Sequence, residues 1–246
     1  MIITIALQKG GVAKSTTAQT LASCLGSIGK KVLLVDLDAQ QNITFSSGIE
    51  PGEKTASDLL GGQCSPDEVI VPSKYYDIIP ADSYLSNVEN ADVPGNLLKE
   101  RIAPCISRYD FVIIDTPPAL GNLMKNALVA SDYVIIPIEA SPYSLQGVDA
   151  LVETIQSIRC NANRDLQILG ILLVKYHDRS VINRSLKANI TQYAKEIGTE
   201  VFETFIREGV VVRESQTLRK DLIDYAPKSN LATDYKNLTL EILRRI

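Results

Sequence analysis

The chain has 246 residues, 45% of them hydrophobic, with 25 Lys and Arg against 29 Asp and Glu and a formal net charge of -4. That length and apolar content suit a single α/β domain with a sizeable core, so residues 1–246 are read as one domain. A negative overall charge excludes a protein whose whole surface binds nucleic acid. No run approaches the ~18 consecutive apolar residues that a membrane-spanning helix needs.

The chain opens on Ile2 to Leu7, a short apolar run without the basic flank or cleavage site of a secretory leader, so a cytoplasmic protein is expected. It reads as a strand, followed by a helix over Thr16 to Ile28 and a second strand over Val32 to Asp36. The stretch from Ile43 to Asp92, rich in Gly, Pro and Ser, reads as an irregular excursion carrying short helices. Beyond it come a helix over Asn96 to Ser107, strands at Phe111 to Asp115 and Tyr133 to Ile138, and a helix over Leu145 to Ile158. A strand at Gln167 to Val174, a helix over Val181 to Ile197 and a last helix over Thr233 to Ile246 complete the order. This βαβ rhythm predicts an α/β fold with a mostly parallel twisted sheet and helices on both faces. Cys24, Cys64, Cys105 and Cys160 form no CxxC pair and His177 is the only histidine, so neither a zinc site nor a disulfide framework is expected. The cysteines read as small buried hydrophobes.

Three segments carry chemistry. Lys9-Gly10-Gly11-Val12-Ala13-Lys14-Ser15-Thr16 lies between the first strand and the first helix. Glycines there let backbone N–H groups turn toward phosphate oxygens, and the helix N-terminus favours the same anion. Lys14 then supplies charge to the β- and γ-phosphates, and the Ser15 hydroxyl is placed to ligate Mg²⁺. The second strand ends in Asp36-Leu37-Asp38-Ala39-Gln40, whose i, i+2 spacing points both carboxylates the same way from an extended chain. Phe111-Val112-Ile113-Ile114-Asp115 is an apolar strand ending in an acid, followed by Thr116-Pro117-Pro118. An acid at the carboxyl end of a central strand is where Mg²⁺ is held through water in P-loop NTPases.

The loop has Gln8 and Ala13 where the GxxxxGK[ST] pattern has glycines, and fits KGGxxK[ST] instead. With the two aspartates it resembles the deviant Walker A loop of the ParA/Soj family, within the ParA/MinD superfamily. Pro142-Tyr143-Ser144-Leu145-Gln146-Gly147, Asp178-Arg179 and the stretch from Phe202 to Glu241 extend the resemblance over nearly the full length. The chain starts at its first core strand, so it resembles the short, Soj-like type without an N-terminal DNA-binding extension. The resemblance implies a P-loop ATPase using ATP and Mg²⁺, with Lys9 reaching across a nucleotide-sandwich homodimer, Asp38 orienting the attacking water and Asp36 supporting the Mg²⁺ shell. Asp115 is the Walker B acid by the same resemblance, and Pro117 belongs to a switch that senses the γ-phosphate. It further implies nonspecific duplex DNA and a ParB-like, centromere-binding activator as partners, slow activator-stimulated hydrolysis, and association with the nucleoid.

From Ile171 to Ile246 there are 13 Lys and Arg against 10 Asp and Glu, a basic bias in a negative chain. Arg179, Arg213, Arg219 and Lys220 are the candidate DNA contacts there, and Arg219 stands where relatives often have glycine. A MinD-like ATPase cycling on a membrane is the alternative, and it calls for a basic amphipathic C-terminal helix. The last helix puts Tyr235, Leu238, Ile242 and Ile246 on one face, which core packing explains without lipid. A metabolic P-loop synthetase, the third class, has no need of Lys9.

Overall fold

Leucine-rich and β-branched runs suit a pleated, doubly buried surface. They form β1 (Ile2–Ile5), β2 (Val32–Asp36), β3 (Val71–Pro72), β4 (Asp77–Ile79), β5 (Phe111–Asp115), β6 (Tyr133–Glu139) and β7 (Gln167–Val174). This computed structural model describes residues 1–141, 145–178 and 181–246, so Pro142, Tyr143, Ser144 and Arg179 lie outside the described residues. The strands make one sheet in the order β3-β4-β2-β5-β1-β6-β7, parallel throughout except for the antiparallel edge pair β3–β4. The chain leaves β1 toward one side of the sheet for β2 and later crosses to the other side for β6. Such a reversal opens a crevice at the carboxyl ends of the central strands.

The helices are α1 (Lys14–Ser27), α2 (Asn42–Ser46), α3 (Ala56–Leu60), α4 (Pro66–Val69), α5 (Leu85–Asn90) and α6 (Leu97–Ile106), then α7 (Asn122–Ala130), α8 (Gln146–Asn161), α9 (Val181–Glu196), α10 (Val211–Thr217), α11 (Leu222–Tyr225) and α12 (Asn230–Arg245). Alternation along the strands divides them between two faces. Ile3, Ile5, Leu34 and Ile113 meet Leu21 and Leu25 of α1 and Leu238 of α12. Leu33, Val35, Val112 and Ile114 turn the other way, onto Leu98 and Ile102 of α6 and Ala127 of α7.

Three sequence expectations shift. The excursion from Ile43 to Asp92 contains β4, which pairs in parallel with β2 and widens the sheet; three residues are too few for a periodic signal. The first strand stops at Ile5 rather than Leu7, although the Ala6 N–H still donates to the Ile135 carbonyl at 3.1 Å. Cys24 and Cys105 are buried as expected, whereas Cys64 is half-buried and Cys160 exposed.

The apolar face of α12 is consumed in the core. Tyr235, Leu238 and Ile242 are fully buried against α1 and the sheet, and the Tyr235 hydroxyl lies 3.2 Å from the Thr17 hydroxyl. Arg245 is also committed to the fold, donating to Glu241 at 2.7 Å and stacking on Phe202. Among the described residues no helix is long and apolar enough to cross a membrane. Leu238→Ala should therefore cost ~2–5 kcal/mol in urea unfolding, as for other buried leucines. A helix that detaches to lie on lipid would show almost no loss.

Candidate functional site

After β1 the chain turns sharply before α1 begins at Lys14. Gly11 has φ 77, and Ala13 has φ 59 with ψ 29, a left-handed conformation that costs a residue with a Cβ ~1 kcal/mol. The turn leaves every backbone N–H from Gly10 to Thr16 without a protein acceptor among the described residues. Helix first-turn donors are orphaned by geometry. Here the preceding loop adds its own, and such a cluster favours an anion. Lys14 is buried, and its Nζ donates to the Lys9 carbonyl at 2.8 Å. Burial draws its pKa down, while Asp115 and Asp38 hold it up.

The floor of the site is acidic. Register places Asp36 beside Asp115 on adjacent parallel strands, and both are fully buried. Asp36 is satisfied: it accepts the Thr44 N–H at 2.9 Å, the Thr44 hydroxyl at 2.8 Å and the Asp38 N–H at 3.1 Å. Its carboxyl is pushed up to about 6 by burial, against the pull of those donors. Neither oxygen of Asp115 accepts a hydrogen bond of ordinary geometry. Burial first and Asp36 second push its pKa well above the carboxylate range, while the nearby Ser15 hydroxyl and Lys14 pull it back. A buried carboxylate without donors calls for a proton or a cation. Beside a hydroxyl and a phosphate-binding loop, the fitting cation is hydrated Mg²⁺, which takes few protein ligands and keeps its waters. Ser15 and Asp115 are the residues that would hold it.

The two aspartates of this segment differ in exposure: the Asp38 N–H donates to Asp36 Oδ1 at 3.1 Å, Asp36 is fully buried, and Asp38 is the one of the pair that lines the cleft. Asp38 accepts the Gln40 N–H at 3.0 Å, while Asp36 is held beneath α2. The Thr116 hydroxyl donates to the Ile5 carbonyl at 2.9 Å, tying the segment after β5 to the end of β1. Pro117 is buried, and its neighbour Pro118 is the proline that faces the cleft. The side chain of Val12 packs in the core, so only its backbone can serve a nucleotide. Gly10, Gly11, Ala13, Lys14, Ser15 and Thr16 line the cleft, and Lys9 contributes its carbonyl.

The cleft, about 1040 Å³, has a second wall that the motifs did not reveal: Lys175 and His177 after β7, residues 207–210, and α10. Gln216 of α10 donates to the Thr16 hydroxyl at 3.3 Å, joining this wall to the phosphate loop. Thr44 is a second unforeseen residue, fixing Asp36 while its hydroxyl accepts the Ala81 N–H at 2.8 Å. No motif marks either one.

The expected basic set divides. Arg213 and Lys220 are exposed and, among the described residues, have no carboxylate within ion-pair distance. Arg219 is not a free cation. Its φ of 53 turns the side chain onto α2, where Nε donates to the Phe45 carbonyl at 3.1 Å and Nη2 to the Ile49 carbonyl at 3.0 Å. Nη1 pairs with Glu50 at 3.0 Å, and the guanidinium covers the Phe45 ring. It is a clamp on the loop behind the site.

Comparison with known proteins places this geometry. The family described as an AAA domain matches residues 1–168. The chromosome-partitioning ATPase Soj of Thermus thermophilus is 37% identical over 247 residues, covering 99% of this chain and 96% of that protein. The sporulation initiation inhibitor protein Soj of Bacillus subtilis is 36% identical over 249 residues, covering 98% and 97%. Among solved structures, a cobyrinic acid a,c-diamide synthase from Mycobacterium smegmatis with bound ADP and magnesium matches at TM-score 0.85 and 30% identity, over 99% of this chain and 94% of that one.

Raised carboxyl pKa values set a pH dependence. An unfolded aspartate titrates near ~3.9, so between that value and about 6 the folded chain binds protons more readily through Asp36. The cost of the ionised pair is thus present in full above that window and is relieved as pH falls through it. Mg²⁺ favours the ionised form. With ADP present, added Mg²⁺ should raise the melting temperature at about pH 8 and much less at about pH 5. Asp115→Asn should abolish the Mg²⁺ shift while leaving the metal-free protein no less stable; a Mg²⁺ shift equal to wild type in that variant would remove Asp115 from the metal site.

Proposed function

This chain belongs to the ParA/Soj family of partitioning ATPases, and on that premise we propose that it is an ATP-timed switch on DNA. It dimerises around ATP and Mg²⁺, coats duplex DNA without sequence preference, and leaves when a cargo-bound, ParB-like partner stimulates hydrolysis. The observation that carries the reading is the meeting at one cleft of the orphaned loop N–H groups, Lys14, Ser15 and Asp38, with the buried, unsatisfied Asp115 close beside Lys14 and Ser15.

In the proposed reaction the loop N–H groups and Lys14 bind the phosphate chain, Lys14 leaving the Lys9 carbonyl for the anion. Bound Mg²⁺ supplies charge neutralisation to the β- and γ-phosphate oxygens. Asp38, with one oxygen fixed by the Gln40 N–H, uses the other to orient the water that attacks the γ-phosphorus. That water's proton passes to phosphate or solvent as the bond to ADP breaks. Turnover should be slow, because no motif of the sequence places an arginine at the γ-phosphate in cis. The side chain of Lys9, half-buried and absent from the lining of its own cleft, is assigned to the partner protomer's phosphates. Arg213 and Lys220 are the proposed DNA contacts. The buried apolar face of α12 supports DNA over a membrane as the docking surface.

Lys14→Ala should lose nucleotide binding in isothermal titration, and Asp38→Ala should keep binding but stop turnover. In sedimentation with ATP, Asp38→Ala should run as a dimer and Lys9→Ala as a monomer; equal dimerisation of the two would remove Lys9 from its role. Arg213→Ala combined with Lys220→Ala should weaken all DNA sequences alike and flatten the salt dependence, by ~0.9 in log–log slope for each phosphate no longer neutralised. Wild-type protein that ignores DNA at low salt and floats with anionic liposomes would replace this reading with the membrane-cycling alternative.

A further inference from the structure

Lys175 occupies a position that no motif marks. It follows β7 directly and has φ 51, a left-handed conformation that a lysine adopts only where its surroundings impose it. Its neighbours account for the turn. Glu139 closes β6 and pairs in register with Val174, so the carboxylate stands at the strand end beside Lys175, with Nζ 2.5 Å from Oε1. The same Nζ donates to the Gly11 carbonyl at 2.8 Å. One ammonium thus bridges the end of the β6–β7 pair to the apex of the phosphate loop.

The consequence for the loop follows from peptide geometry. A trans peptide is planar, with its C=O and N–H directed oppositely. A donor held at Gly11 O therefore dictates the direction of the Val12 N–H, which points away from Lys175. That N–H has no protein acceptor among the described residues. The Val12 side chain, buried in the core, fixes the other end of the same segment. Gly11, at φ 77 with open space where a Cβ would stand, has no steric constraint of its own to set this peptide.

We propose that Lys175, anchored by Glu139, is a positioning residue of the phosphate site, pinning the Gly11 carbonyl so that the Val12 N–H is preset for a nucleotide phosphate. This deepens the nucleotide-binding reading and rests on it. The contact is a charge-assisted hydrogen bond made before ligand arrives, so its contribution belongs to preorganisation.

The experiment is a fluorescent-ADP titration with Mg²⁺, run beside thermal melts of the nucleotide-free proteins. Lys175→Met, which keeps the stem and removes the ammonium, should weaken ADP about tenfold while leaving the nucleotide-free melt in place. Lys175→Arg, whose guanidinium reaches the same carbonyl, should recover most of the loss. In ¹⁵N spectra of the nucleotide-free protein the Val12 amide should move in Lys175→Met and return in Lys175→Arg. Glu139→Ala decides between positioning and simple charge attraction. Removing a negative charge near an anionic ligand tightens binding if Lys175 acts through space, and loosens it if the anchored geometry matters. ADP affinity unchanged in Lys175→Met, or raised in Glu139→Ala, overturns the proposal. Wild-type protein that binds no ADP would instead overturn the nucleotide reading itself, and this inference with it.

Discussion

Two carboxylates lie side by side at the ends of β2 and β5, fixed there by the register of a fully buried pair of strands. Like charges so placed raise each other's cost in a low-dielectric interior. The surrounding structure relieves only one of them. Thr44 gives Asp36 two donors and the turn to Asp38 a third, whereas Asp115 accepts no hydrogen bond of ordinary geometry and has only the Ser15 hydroxyl nearby. In the proposed reading the imbalance makes the site selective for what enters: a hydrated divalent cation would satisfy Asp115, and the phosphates that accompany it would satisfy the orphaned N–H groups of the loop. Groups of opposite need stand at the cleft and just beneath it without satisfying each other, and a metal–polyphosphate complex would supply both missing partners.

Holding that arrangement open requires strained backbone. Among the described residues the four non-glycine positions at positive φ are Ala13, Gln41, Lys175 and Arg219. Ala13 starts the helix of the phosphate loop, and Gln41 starts α2, which carries Thr44. Lys175 braces the loop apex, and Arg219 follows α10 and clamps the chain behind α2. Each costs ~1 kcal/mol relative to an ordinary conformation, and each is retained where a segment must turn toward or support the cleft. Strain of this kind gathers where geometry matters more than local comfort.

What the sequence disclosed follows from the range of the forces involved. The phosphate loop, the Walker B strand and the order of long elements rest on local pattern, and β2, β5 and β7 have the boundaries that their apolar runs suggest. The second wall of the cleft escaped because α10 has seven residues, mixed polarity and a position some two hundred residues from the loop it meets. The different exposure of Asp36 and Asp38 was not legible either, because it is set by α2 covering Asp36 through Thr44, which no periodicity reports. Pro117 and Pro118 are equivalent in a motif but not in space, since neighbouring residues of a turn face different ways. Arg219 looked like a surface cation because its left-handed turn is set by contacts with α2, which lies far away in the sequence.

The basic bias of the C-terminal third is smaller in space than in sequence. Arg207 is held by Asp234 at 2.6 Å, Arg245 by Glu241 at 2.7 Å and Arg219 by Glu50 and two carbonyls. These guanidiniums join the last third of the chain to itself and to α2, and removing Arg207 or Arg245 would leave a buried acid, Asp234 or Glu241, without its partner. Of the candidate contacts that the structure describes, this leaves Arg213 and Lys220. Two cations per protomer release few counterions, and binding driven by counterion release grows steeply with the number of phosphates met at once. A sparse patch on one protomer is therefore a poor DNA ligand, and two copies held in fixed relation form a much better one. In the proposed cycle the nucleotide then has no need to reshape the patch. By controlling whether a second protomer is present, it controls whether enough charge is assembled to stay on DNA.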